Sequence, residues 1–97
     1  MITELRDEID EIDEKIVGLL NDRARTALKI GSYKRRKGLN VTDEKRERKV
    51  LDRVKASNDG PFSDEQLESI YRKLISETKK IQTEVDADDS RNETGSN

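Results

Sequence analysis

Two cationic side chains of the first predicted helix occupy positions where apolar residues are expected. Apolar residues from Ile2 to Leu19 alternate in steps of three and four, the pattern of a helix that packs along another helix. Continuing these steps leads to Arg23, and burying an arginine costs free energy unless an anionic group meets it. Lys34 follows eleven residues later, almost on the same face. The pair therefore predicts a binding site for a small anion.

Polar residues also interrupt the apolar stripes of two later helices. Asp43, Arg46 and Glu47 lie on or beside the stripe of the second helix, and Thr78 and Gln82 lie on that of the third. If consecutive helices run in opposite directions, all three polar regions meet at one end of the bundle. Arginine, lysine, glutamate and glutamine without a nucleophile suit a small organic polyanion. The candidate site residues of one chain are Arg23, Lys34, Asp43, Arg46, Glu47, Thr78 and Gln82.

Arg6 is a further candidate, and simpler roles remain open for several of these residues. It precedes Arg23 by seventeen residues and points about 100° away from the Arg23 face, so we expect it to enter the site of a partner subunit. Most charged side chains of a chain that is 43% charged are solvated. Asp43 also suits a helix-start charge, and Thr78 suits a core hydroxyl bonded to its own helix.

Composition limits the class of protein. The 97 residues form one domain, and a hydrophobic content of 30% allows one chain only a thin core, so association with a second copy is expected. The net charge of -2 disfavours a nucleic-acid partner. The absence of Cys and His removes thiol and histidine chemistry and the usual zinc ligands, so we expect no metal and no cofactor. No long apolar run or signal segment is present, which predicts a cytoplasmic protein without a membrane partner.

Three helices and a tail account for the whole chain, which predicts an all-α fold. The first and longest helix spans Ile2 to about Arg36. Thr42 is the expected cap of the second, and Ser63 with Gln66 forms a capping box for the third. We predict a helical domain over residues 1–85 and a disordered acidic and polar tail over residues 86–97.

Several of these residues form patterns that resemble the all-helical (AroQ-class) chorismate mutases over roughly residues 2 to 85. The resemblance implies an intertwined helical homodimer in which each of two active sites uses both chains. It also implies conversion of chorismate to prephenate, an isomerisation on the route to phenylalanine and tyrosine. The matching patterns, in order, are Leu5-Arg6-x-x-Ile9-x-x-Ile12-Asp13, Leu19-Leu20-x-x-Arg23, Gly31-x-x-Lys34, Asp43-x-x-Arg46-Glu47 and Thr78-x-x-x-Gln82.

The resemblance also implies a role for each candidate residue. Arg23 is similar to an arginine that binds a substrate carboxylate, and Arg6 to one that reaches in from the other subunit. Lys34 resembles a lysine that contacts a carboxylate and the ether oxygen of the breaking bond. Gln82 resembles a donor to that same oxygen, and Glu47 a carboxylate that holds the ring hydroxyl. Supporting positions of the site are matched by Asp43, Arg46 and Thr78.

Two other functions are compatible with the sequence. An isochorismate pyruvate lyase shares this architecture and the Arg and Lys positions, although the intact Asp43-x-x-Arg46-Glu47 pattern favours the mutase. A non-catalytic helical dimerisation module would carry the same charges on its surface. Since no further domain follows the third predicted helix, we expect a stand-alone enzyme.

Overall fold

The protein is built from three helices. A computed structural model describes residues 1–95, with side chains described for residues 1–84. The helices are α1 (Ile2–Arg36), α2 (Glu44–Ala56) and α3 (Asp64–Gly95), and the described residues contain no strand. The predicted all-α class and the three helices are therefore confirmed.

The long α1 helix ends at Arg36 as predicted, and Gly38 follows two residues later. Gly38 has a φ of 69°, a left-handed conformation that is readily available to glycine and common just beyond helix ends. The N–H of Gly38 donates to the carbonyl of Arg35 at 3.1 Å, and the N–H of Leu39 donates to that of Lys34 at 2.8 Å. These bonds turn the chain sharply after α1, so that Lys34 lies near the beginning of α2.

The beginning of α2 differs from the prediction by one residue. Asp43, not Thr42, is the cap, and its Oδ1 accepts a hydrogen bond from the N–H of Arg46 at 3.0 Å. The N–H of Thr42 instead donates to Oδ1 of Asn40 at 3.0 Å. Both residue types cap helices well, and the local turn at Asn40 decides which of the two does so.

The predicted capping box at the beginning of α3 is confirmed. The N–H of Ser63 donates to Oε1 of Gln66 at 2.9 Å, and the N–H of Gln66 donates to Oγ of Ser63 at 3.1 Å. At its other end α3 continues to Gly95 instead of ending near Val85, and no proline or glycine interrupts it before Gly95. Side chains from residue 85 onward and the whole of residues 96 and 97 lie outside the described residues. The disordered tail over residues 86–97 therefore stays a prediction.

The three helices form an elongated molecule of 59 × 31 × 15 Å with little core. In the described part of the chain, α3 packs against both other helices, whereas α1 and α2 do not pack directly on each other. Leu51 is the buried hydrophobic residue of the described part. The first half of α1 exposes its apolar seam, consisting of Ile2, Leu5, Ile9, Ile12, Ile16 and Leu19. No helix in the described residues carries an apolar stretch long enough to cross a membrane.

Candidate active site

The polar ends of the three helices surround one cavity of about 420 Å³. Part of its wall is apolar and comes from all three helices and the loop before α2, through residues such as Ile30, Val41, Val50 and Ile75. The cavity brings together all the site residues predicted for a single chain, namely Arg23, Lys34, Asp43, Arg46, Glu47, Thr78 and Gln82.

Arg23 and Lys34 supply two positive charges from the same side of α1. The guanidinium carbon of Arg23 lies 6.0 Å from the centre of the Tyr71 ring on α3, a cation–π contact that orients the arginine. Lys34 Nζ lies 4.0 Å from Oδ2 of Asp43, and the lysine side chain is 22% exposed. Both cations are thus held at the cavity and remain available to an anionic ligand.

Asp43 has two roles in this structure. The N–H of Arg46 donates to its carboxylate, and this bond, helped by the charges of Lys34 and Lys45, holds the pKa of Asp43 below its ordinary value. The helix-start role that the sequence left open is therefore present. The same carboxylate also faces Lys34, and both residues line the cavity.

Gln82 reaches across the interface from α3 to α1. Its Nε2 donates a hydrogen bond to the backbone carbonyl of Ala27 at 2.9 Å. Gly31 permits this approach, because a Cβ at Gly31 would lie only 3.3 Å from Nε2 of Gln82. A primary amide carries two hydrogens, so one N–H of Gln82 remains for a ligand in the cavity.

Thr78 lines the cavity but has already used its only proton. Its hydroxyl donates to the carbonyl of Leu74 at 2.8 Å, the bond within its own helix that the sequence left open. The hydroxyl oxygen still has lone pairs. Thr78 can therefore accept a hydrogen bond from a ligand but cannot donate one while the bond to Leu74 is kept.

Sequence reasoning missed Lys79, which lines the cavity, and Tyr71, which contacts the cavity residue Arg23. Lys79 lines the cavity and places its Nζ 2.9 Å from Oε1 of Glu47, forming an ion pair between α3 and α2. A lysine in so charged a chain gives no signal of such a role. Tyr71 fits the apolar stripe of α3, so the sequence alone gives it a packing role. Its contact with Arg23 becomes evident only once α1 and α3 are packed together.

Arg6 does not reach the cavity of its own chain. It is exposed, and it precedes Arg23 by seventeen residues on the same continuous helix, a separation of about 26 Å along the axis. It is also absent from the residues that line the cavity. Within one chain, the site therefore lacks this predicted residue.

The fold and the cavity together define a class of protein. Three helices enclose a pocket with two cationic side chains from α1, an amide donor from α3 and a carboxylate from α2. The sequence contains no Cys and no His that could act as a thiol nucleophile or an imidazole base. The class is that of an all-helical protein with a cavity whose charges and donors suit a small organic anion.

Comparison with known proteins gives the family. The family model described as chorismate mutase type II matches residues 5–83. The chain is 38% identical over 88 residues to a bifunctional chorismate mutase/prephenate dehydratase of Aquifex aeolicus, covering 87% of this chain and 24% of that relative. It is 32% identical over 82 residues to a chorismate mutase of Methanocaldococcus jannaschii, covering 84% and 83% of the two chains.

Solved structures agree with this comparison. The structure of a chorismate mutase (form II) from Thermus thermophilus superposes with a TM-score of 0.83 at 32% identity, covering 84% of this chain and 93% of that one. The chain belongs to the chorismate mutase type II family, which confirms the resemblance seen in the sequence. It spans only 24% of the length of the bifunctional Aquifex relative.

Proposed function

We propose that the protein is a chorismate mutase, which rearranges chorismate to prephenate in the biosynthesis of phenylalanine and tyrosine. The observation that carries this proposal is the single cavity in which Arg23, Lys34, Glu47 and Gln82 converge. The reaction is an intramolecular Claisen rearrangement that needs no nucleophile and no proton transfer. It needs the compact substrate conformer and donors placed where negative charge grows on the ether oxygen.

The four residues that carry the chemistry each contact a different part of the substrate or the same oxygen from another side. Arg23 binds a carboxylate of chorismate, and Lys34 contacts a carboxylate and the ether oxygen. Gln82 donates its free N–H to the same oxygen from α3. Glu47 accepts the hydrogen bond of the ring hydroxyl. Asp43 supports the site by facing Lys34, Arg46 by bonding to Asp43 through its backbone, and Thr78 by offering an acceptor oxygen.

The active form that we propose is an intertwined homodimer, in which Arg6 of the partner subunit completes each site. Two features support this assembly. The apolar seam of α1 remains 46–67% exposed in the single chain, and the contacts of α3 with α1 at Arg23 and Ala27 lie beyond it. Arg6 lies about 26 Å along the helix from the cavity arginine of its own chain, so it reaches a substrate only in another subunit's cavity.

Incubation of the purified protein with chorismate tests the proposed activity. We expect chorismate to disappear and prephenate to form in equal amounts without added metal or cofactor. A parallel incubation with isochorismate tests for pyruvate release, the reaction of the lyase alternative. Turnover of neither substrate would favour a non-catalytic dimerisation module and would contradict the proposal. The cytoplasmic location expected from the sequence stays a prediction.

A pair of arginine variants links the activity to the cavity. Arg23→Ala removes a charge-assisted contact and should lower kcat/KM at least about ten-fold. Arg25→Ala is the matched control, because Arg25 is exposed and pairs with Asp22 outside the cavity. We expect Arg25→Ala to leave kcat/KM within about two-fold of the wild type. Equal losses in both variants would show that the effect does not arise in the cavity.

A further inference from the structure

Lys79 connects the third helix to the carboxylate of Glu47. Its Nζ lies 2.9 Å from Oε1 of Glu47, and the two side chains are 42% and 27% exposed. Both residues line the candidate cavity together with Arg23 and Lys34 of α1, and Lys79 directly follows Thr78 in sequence. The pair thus joins α2 and α3 at the candidate site, whereas a second lysine–glutamate bridge between these helices, Lys55–Glu68, lies outside this cavity.

The ion pair has a consequence for a substrate that carries two carboxylates. An unpaired Glu47 would repel such a substrate and would be free to rotate among its side-chain conformers. Lys79 offsets the negative charge and occupies one carboxylate oxygen, Oε1. Oε2 is left to accept a hydrogen bond from a hydroxyl group. The ion pair therefore determines the orientation of the Glu47 carboxylate and offsets its charge where it accepts the hydroxyl.

We propose that Lys79 is a positioning residue, which holds Glu47 so that its second oxygen accepts the ring hydroxyl of the substrate. This inference rests on the proposed function, to which it adds a residue that determines specificity. Lys79 acts through Glu47 and makes no contact with the substrate of its own. The competing interpretation is a partly exposed bridge that only joins two helices, and such bridges contribute little to stability.

The test replaces Lys79 with methionine, which keeps the length of the side chain and removes its charge. Lys80→Met is the matched control, since Lys80 is exposed and pairs with Glu77 at 3.2 Å away from the cavity. We expect Lys79→Met to raise the KM for chorismate about five- to ten-fold with kcat within about two-fold, because ground state and transition state lose the same hydroxyl contact. Lys80→Met should change neither constant, and Lys79→Arg should restore a KM near that of the wild type.

The same substitution in a Glu47→Ala background shows whether Lys79 acts through Glu47. With no side-chain oxygen left for Lys79 to hold, Lys79→Met should then change KM by less than about two-fold. A full increase in KM in that background would mean that Lys79 binds the substrate directly, and the inference would be wrong. An unchanged KM for Lys79→Met in the otherwise native enzyme would also overturn it. These failures leave the wild type active, whereas an inactive wild type would overturn the proposed function and this inference together.

Discussion

Nε2 of Gln82 lies 2.9 Å from the backbone oxygen of Ala27 and donates a hydrogen bond to it, fixing the end of a side chain on α3 against the backbone of α1. Because the carbonyl can only accept, the bond also determines which end of the amide faces α1. The proposed donor to the reacting oxygen is therefore oriented before any substrate arrives. Such preorganisation is the largest contribution that a protein makes to many reactions of this kind.

Gly31→Ala tests whether this orientation matters. The added Cβ would lie 3.3 Å from Nε2 of Gln82, so the amide must shift by a few tenths of an ångström. We expect kcat to fall roughly ten-fold, since donors act only when they are placed correctly. Gly18→Ala is the control, because a Cβ at Gly18 meets no atom within 4 Å in the described chain and Gly18 lies opposite the isoleucine seam. Unchanged turnover in Gly31→Ala would show that this packing is not needed.

Gln82→Glu tests the donor itself through pH. An ionised carboxylate cannot donate to Ala27 or to the ether oxygen, so the variant should be slow at neutral pH. Protonation gives the substituted side chain a single O–H, for which the carbonyl of Ala27 and the ether oxygen compete. The rate should therefore rise on acidification without reaching that of the wild type. The native amide does not titrate, so wild-type turnover should change little between about pH 5 and 8. The measurement is kcat against pH for both proteins, and identical profiles would contradict the role of Gln82.

The hydrogen bonds of Glu68 determine how its contribution to the stability of the fold changes in acid. Hydrogen bonds from Lys55 and then Arg72 hold the pKa of Glu68 below its ordinary value of 4.5. A lowered pKa contributes stability that is present above this ordinary value and is lost as the pH falls through the folded value. Glu68→Gln should therefore lower Tm at pH 7, and its difference from the wild type should shrink towards pH 3. Thermal melts at both pH values, with the exposed Glu84→Gln as control, test this.

The sequence predicted the helices better than it predicted their contacts. The spacing from Ile2 onward and the basic end near Arg36 gave the bounds of α1, since both signals lie within one helix. The cap of α2 was assigned to Thr42 instead of Asp43, because two adjacent residues can both cap. Lys79 was missed because its importance depends on how α3 packs against α2, which no local pattern encodes.

The proposed dimer depends on the seam of α1. Ile12 is 53% exposed in the single chain, and burying the exposed half of such a side chain contributes roughly 1 kcal/mol in each chain. Ile12→Lys should therefore shift the protein from dimer to monomer, while Glu14→Lys, on the opposite face of α1, should not. Sedimentation should give about twice the chain mass of 11.2 kDa for the wild type and the control. A folded, active wild-type monomer would contradict the dimer.

The central claim, a mutase site that uses Arg23 of one chain and Arg6 of the partner subunit, is tested most directly by mixing two inactive variants. Arg6→Ala and Arg23→Ala should each be at least about ten-fold less active than the wild type. Equal amounts, allowed to exchange subunits, should form heterodimers in which one site is intact and the other has lost both arginines. If half of the dimers are mixed, chorismate turnover should recover to about one quarter of the wild-type value. Exchange without any recovery of activity would contradict the shared site.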